Sequence, residues 1–175
     1  MANIKFSALA DGSLPAFSDE TPFVQTALSA AVNFTPPMLR VVKKADETVT
    51  SSTVLQDDDE LLVALQINKT YGMMIEYYVT SPALADLKLA FSVPSGATGS
   101  RNNAGFNITP QAAGDITGVA PLATLGSLQV GLIIARIIMS TTAGNLQFQW
   151  AQNTSNAGNT ILHQGSNMTV WEELP

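Results

Sequence analysis

From Leu39 onward, apolar and polar residues trade places at every second position. In "DLKLAFSV", Leu87, Leu89, Phe91 and Val93 fall on one side and Lys88, Ala90 and Ser92 on the other, which is the period of a half-buried strand. In "LQFQWAQ", Leu146, Phe148 and Trp150 alternate with Gln147, Gln149 and Ala151 in the same way, just after the short "TAGN" turn. Further β-type runs are "LRVVK", "ETVTSSTVLQ", "LLVALQI", "TYGMMIEYYVTS", "FNITP" and "SLQVGLIIARIIMST", with "NTILHQ" and "NMTVWEEL" supplying one or two more strands. The segment "SGATGSRNNAG" reads as a long loop, and a second loose stretch runs to Gly126. About eight strands at such intervals, with turn signals between them, predict an all-β, jelly-roll-like β-sandwich over residues 39–175. Heptads, internal repeats and a βαβ alternation are absent from the sequence.

Residues 1–38 follow no such period. Pro15, Pro22, Pro36 and Pro37 remove backbone donors and break helices, so this segment predicts an extended N-terminal arm, with short helical content around 21–32. Its large apolar groups, among them Ile4, Phe6, Phe17, Phe23 and Phe34, are too many for a disordered tail. Such an arm is expected to lie on its own body or on a partner subunit, and these five residues are the expected contacts.

Composition changes this picture in one respect. Charged residues make up only 13% of the chain, against roughly 25% in an average globular domain. Residues 144–171 contain no Asp, Glu, Lys or Arg at all. Polarity comes from Asn, Gln, Ser and Thr, which hydrogen-bond without repelling one another and suit strand surfaces and close subunit contacts. The net charge is −6 and the 8 basic residues are scattered, Lys43–Lys44 being the one adjacent pair. Phosphate backbones are bound through clustered Lys and Arg, so neither nucleic acid nor an anionic membrane is expected as a partner. With no cysteine, there is no disulfide, thiolate nucleophile or zinc-thiolate site. No cofactor is expected.

"MANIKFSALADGS" lacks the basic and apolar regions of a signal peptide, so synthesis in a cytoplasm is expected. "VGLIIARIIM" is too short to cross a bilayer and carries Arg136 at its centre. The Asn-x-Ser/Thr triplets at Asn33, Asn68, Asn107, Asn153 and Asn167 then read as ordinary strand and loop sequence.

Candidate chemistry is sparse. Asp57, Asp58, Asp59 and Glu60 could supply oxygen ligands to Ca²⁺, but the spacing is not that of a calcium loop, and a solvated turn is the simpler reading. His163 is the single histidine and would need an orienting acid and a nucleophile beside it to act as a base. Glu76 is the best candidate for an inward acid of the glycosidase kind; the alternative is an outward or paired carboxylate. Arg136, within an apolar run, needs a partner if buried, and Glu76, Asp86 or a second subunit could provide one. Trp150 with Phe148 could form a sugar-stacking platform, although inward alternation favours the core.

"ADETVTSSTVLQDDDELLVAL", "NKTYGMMIEYYVTSPALADLKLAFSVPSGATG" and "GNLQFQWAQNTSNAGNT" resemble, in this order, a module of tailed-bacteriophage virion proteins. The resemblance covers residues 45–171, and residues 100–128 match least. "ANIKFSALADG" is similar to the N-terminal segment of phage head and tail appendage proteins, with Phe6 and Ala10 departing from that pattern. The resemblance implies a virion structural protein. A capsid decoration (cement) protein on the capsid exterior is expected, with the major capsid protein as partner and no enzymatic activity. Because cyclic assembly would hide a strand that is apolar on both sides, a homotrimer is expected. The alternative is a tail fibre, baseplate or receptor-binding module, with Trp150 or the Arg101–Asn103 loop touching host glycans.

Overall fold

The computed structural model describes residues 38–104 and 114–173. The regular elements among them are twelve strands: β1 (Met38–Val42), β2 (Glu47–Val49), β3 (Gln56–Leu65), β4 (Thr70–Thr80), β5 (Leu87–Ser92), β6 (Thr98–Ala104), β7 (Gly114–Asp115), β8 (Ala120–Leu122), β9 (Gln129–Ile138), β10 (Gly144–Gln152), β11 (Thr160–Leu162) and β12 (Asn167–Glu172). They form two antiparallel sheets. The larger has the order β1-β12-β4-β9-β6-β7, with β11 beside β4 and β2 beside β11; the smaller has the order β3-β10-β5-β8.

The pairings are nested. β1 and β2 pair with β12 and β11, β3 with β10, β4 with β9, and β5 with β8. This is one long antiparallel hairpin rolled up so that successive strands fall in opposite sheets, the jelly-roll arrangement. β6 and β7 are an insertion at the tip of that hairpin, and they extend the larger sheet beyond β9. The segment expected to be a loop is therefore partly a strand, because Thr98–Ala104 finds a full antiparallel partner in β9.

The core lies between the sheets and follows the alternation. β4 contributes Tyr71, Met73, Ile75, Tyr77 and Val79, and β9 contributes Ile133, Ala135 and Ile137, all buried. From the smaller sheet come Leu61 and Val63, Leu87, Leu89 and Phe91, and Leu146, Phe148 and Trp150. Phe148 joins the layers, 6.1 Å from the Tyr77 ring and 5.3 Å from Phe91. Trp150 is fully buried, so it is core and not a sugar platform.

"ETVTSSTVLQ" does not form one strand. β2 ends at Val49, Ser51 takes a left-handed backbone (φ 52°), and pairing resumes at Gln56. The acidic cluster accordingly lies inside β3 and not in a turn.

Candidate assembly surface and buried polar clusters

Period 2 gives the larger sheet an outer face whose make-up follows from register. Met74 lies beside Thr169 on one side and Ile134 on the other, and Ile134 lies beside Asn102. One row along, Trp171, Gly72, Arg136 and Ser100 are neighbours. Gly72 is needed there, since a Cβ would collide with the Trp171 ring. Along β9, Val130, Ile134 and Ile138 remain 45%, 49% and 44% exposed. The result is a sheet face with apolar residues at its centre and an exposed cation, Arg40, at its β1 edge beside Thr169.

Arg136 lies on this face, but its ion pair is not the expected one. Its Nε donates to Glu173 Oε2 at 2.7 Å. Glu76 also faces outward, where its Oε1 accepts from the Tyr78 hydroxyl at 2.8 Å. Asp86 caps the Thr124 amide on another part of the molecule. Alternation explains why Arg136 needs no buried partner: Ala135 and Ile137 turn inward and Arg136 turns out. The other expected contact residues, Ile4, Phe6, Phe17, Phe23 and Phe34, lie outside the described residues.

The acidic cluster forms the most heavily bonded polar site. Gln147 pairs with Leu62 and Gln149 with Asp57, so Asp58, Asp59, Glu60 and Leu61 bulge opposite Phe148 alone. Asp58 Oδ1 closes the bulge by accepting from the amides of Glu60 (3.0 Å) and Leu61 (2.7 Å). Its Oδ2 accepts from Lys43 Nζ at 2.8 Å, and Glu47 Oε2 accepts from the same ammonium at 2.7 Å. Lys43 and Asp58 are only 2% and 1% exposed. The cation held by the cluster is thus the chain's own lysine. Burial alone would lower the Lys43 pKa, but the bonds to Asp58 and Glu47 outweigh it and the value lies above the ordinary lysine range. Burial raises the Glu47 carboxyl above its ordinary value, against the pull of Lys43. One signal in the sequence could have found Lys43: it stands two positions after Val41, which packs partly buried against the core, and so continues that face.

The charge-free stretch is also explained here. Gln147 Nε2 donates to the Asp58 carbonyl (2.6 Å), Gln149 Nε2 to Asp57 Oδ1 (2.7 Å) and Gln152 Nε2 to the Gly158 carbonyl (2.8 Å). These amides satisfy the chain's own bulge and loops, where a charged group would be costly to bury. They are not held ready for a neighbour.

His163 does find an acid and a hydroxyl. Its Nδ1 is 3.1 Å from Asp46 Oδ2 and its Nε2 is 2.9 Å from Thr80 Oγ1, at the edge of an open groove of about 480 Å³ also lined by Tyr78, Leu128 and Gln164. The order acid, imidazole, hydroxyl is that of a hydrolytic triad. Acyl transfer also needs amide donors for an oxyanion, and those nearby are engaged. The His163 amide donates to the Tyr78 carbonyl, Gln164 to Asp46 Oδ1 and Gly165 to the Lys43 carbonyl, each at 2.8 Å. The Gln164 amide and His163 hold the Asp46 carboxyl below its ordinary range. The arrangement therefore pins the corner between β11 and β12 to the link between β1 and β2.

No family model matches the chain, and no curated protein matches it. Among solved structures, weak likenesses are found to infectious bursal disease virus. They are a Gx strain structure (11% identity, TM-score 0.27, covering 78% of this chain and 40% of that one) and a Gt strain structure (8%, 0.25, 81% and 38%). A third is the VP2 subviral particle of that virus (10%, 0.25, 81% and 42%). The chain spans about two fifths of the length of those proteins. Likeness at such scores carries no weight here, and the jelly-roll assignment rests on the strand order.

Proposed function

We propose that this chain is a bacteriophage virion structural protein that decorates the outside of a capsid, its body packing against neighbouring subunits through the outer face of the larger sheet. The observation that supports this reading is the apolar centre of that face, Met74, Val130, Ile134 and Ile138, flanked by charges already engaged in Arg136–Glu173 and Glu76–Tyr78 contacts. Covering such a face stabilises a complex by roughly 25 cal/mol per Å² of apolar area, with Arg40 on β1, in the row of Thr169 and Met74, left to pair with an acid of the partner. The resemblance of residues 45–171 to phage virion modules points the same way. The assembly is a homotrimer seated on the major capsid protein, with the arm of residues 1–38 adding contacts through Ile4, Phe6, Phe17, Phe23 and Phe34.

The test is the copy number of the chain in purified virions relative to the major shell protein. A comparable number is expected; a handful per particle moves the protein to the tail, and absence overturns the virion reading. Deleting residues 1–37 is expected to leave a folded body that no longer binds particles. A tail receptor-binding reading would draw on the groove beside Tyr78, His163 and Gln164, since Trp150, Arg101 and Asn103 are buried. Glycan-array binding abolished by Tyr78→Ala would favour it.

A further inference from the structure

The Lys43 cluster places three side chains in an order that can make a covalent bond. Lys43 Nζ lies 2.8 Å from Asp58 Oδ2, so the carboxyl carbon is one C–O bond further on. Glu47 Oε2 lies 2.7 Å from the same nitrogen, and Gln56 Nε2 orients that carboxylate by donating to its Oε1 at 2.6 Å. The other Asp58 oxygen, Oδ1, accepts from the amides of Glu60 and Leu61 at 3.0 and 2.7 Å. Two backbone N–H donors on one carboxyl oxygen are the elements of an oxyanion hole. The Lys43 and Asp58 side chains are 1% and 0% exposed, whereas that of Glu47 is 19% exposed. The reacting pair is therefore shielded from bulk water, with the third carboxylate between it and solvent. Lys69 and Glu172 make a contact of similar length, 2.6 Å, without these features. That lysine side chain is 42% exposed, and among the described residues neither a second carboxylate nor a backbone amide joins the pair.

We propose that Lys43 and Asp58 join in an intramolecular isopeptide bond, with Glu47 carrying a proton and one water leaving. The resting cluster is charged. Burial draws the Lys43 pKa down, but the bonds to Asp58 and Glu47 more than restore it, so the newly folded chain presents an ammonium and conversion is slow. The first step moves a proton from Nζ to Asp58 Oδ2 and leaves a neutral amine beside a neutral acid, the form that a site closed to water favours. The Nζ lone pair then attacks Cγ, and the charge that develops on Oδ1 meets the Glu60 and Leu61 amides. Glu47, whose carboxyl burial holds above its ordinary value, takes a second proton from the nitrogen and returns it to Oδ2. The Cγ–Oδ2 bond breaks, water leaves, and Glu47 is again a carboxylate. Of the three ammonium protons, two depart with the water and one stays on the new amide. The step needs no oxidant and no co-reactant. Its product ties the residue after β1 to β3 across fifteen positions, joining the two sheets in a chain that has no cysteine. The bond does not depend on what the outer face of the larger sheet packs against.

The test is the intact mass of the folded full chain, followed over time at neutral pH, with peptide mapping of the product. A mass lower by one water is expected, together with a branched peptide that joins Lys43 to Asp58. The same chain held unfolded in guanidinium chloride is expected to keep these two residues unlinked. Glu47→Gln preserves the lysine, the aspartate and the side-chain shape, and it should slow the linkage by about a hundredfold. An unchanged mass after prolonged warming just below the unfolding transition overturns the proposal. So does a lighter mass without the branched peptide, since Asp11-Gly12 closing to a succinimide sheds the same water. Linkage of Lys43 to Asp58 that proceeds equally in the unfolded chain would remove the cluster geometry as its cause. Linkage in Glu47→Gln at the parent's rate would overturn Glu47 as the proton carrier.

Discussion

Among the described residues two cations, Lys43 and Arg101, are buried, and the protein treats them differently. Lys43 is met by two carboxylates, Asp58 and Glu47, and ties the β1–β2 link to the bulge in β3. Arg101 is met by two carbonyls and an aromatic face, and one of its nitrogens is unused. The first arrangement is closed: every strong group has a partner within the chain, so its value is mechanical. The second is open and lies at the tip insertion, outside the eight positions that define the roll. A buried charge met by carboxylates ties distant elements together; one met by carbonyls and a ring is held without a counter-charge.

The largest expected effect comes from breaking the closed cluster. Asp58→Ala leaves Lys43 buried without its more deeply buried counter-charge and removes the bulge cap, and it is expected to cost about 3–5 kcal/mol in urea unfolding. Lys43→Met combined with Asp58→Asn removes both charges and keeps the acceptor for the bulge amides, so most of that loss should be recovered. A double variant as unstable as Asp58→Ala would show that the pair itself is not the source.

The same cluster has a pH signature. The folded Lys43 pKa lies above its ordinary 10.5, so the ammonium's contribution is complete below pH 10.5 and is lost as pH climbs through the folded value. The parent should therefore lose stability above that pH more steeply than Lys43→Met, as measured by thermal unfolding across alkaline buffers.

For the open cation the expected effect is smaller. Arg101→Met gives up two carbonyl bonds and the ring contact but also removes a costly buried charge, so stability should stay within about 1 kcal/mol of the parent. A loss as large as that of Asp58→Ala would mean that Arg101 is as fully compensated as Lys43. Surface pairs set the bottom of the scale. Arg136→Ala should change unfolding free energy by less than about 1 kcal/mol, and any larger effect should appear in particle binding. Asp46, held below its ordinary 3.8, adds stability that is present above that pH and fades as pH falls through the folded value. Asp46→Asn should therefore differ from the parent at neutral pH and converge with it in acid.

Much of the body was legible because strand alternation is a local property of the pleated backbone. "DLKLAFSV" and "LQFQWAQ" announced their inward faces directly, and Trp150 went to the core as its spacing favoured. "SGATGSRNNAG" misled because its inward residues are Arg101 and Asn103, polar groups that carry no hydrophobic period. The acidic run misled for a related reason. Clustered carboxylates suggest solvent, and the lysine that draws Asp58 inward stands fifteen positions away.

The sequence by itself determined that this is a β protein, which residues form its core, and that it carries little charge. Tertiary structure alone decided the nesting of the strands and the partners of Lys43, Arg136 and His163. The physical reason is range. A side chain's face is set by its immediate neighbours in the chain, whereas its partner is set by register between strands. Thr80 and His163, separated by 83 positions, meet only because β4 and β11 pair at that end of the roll.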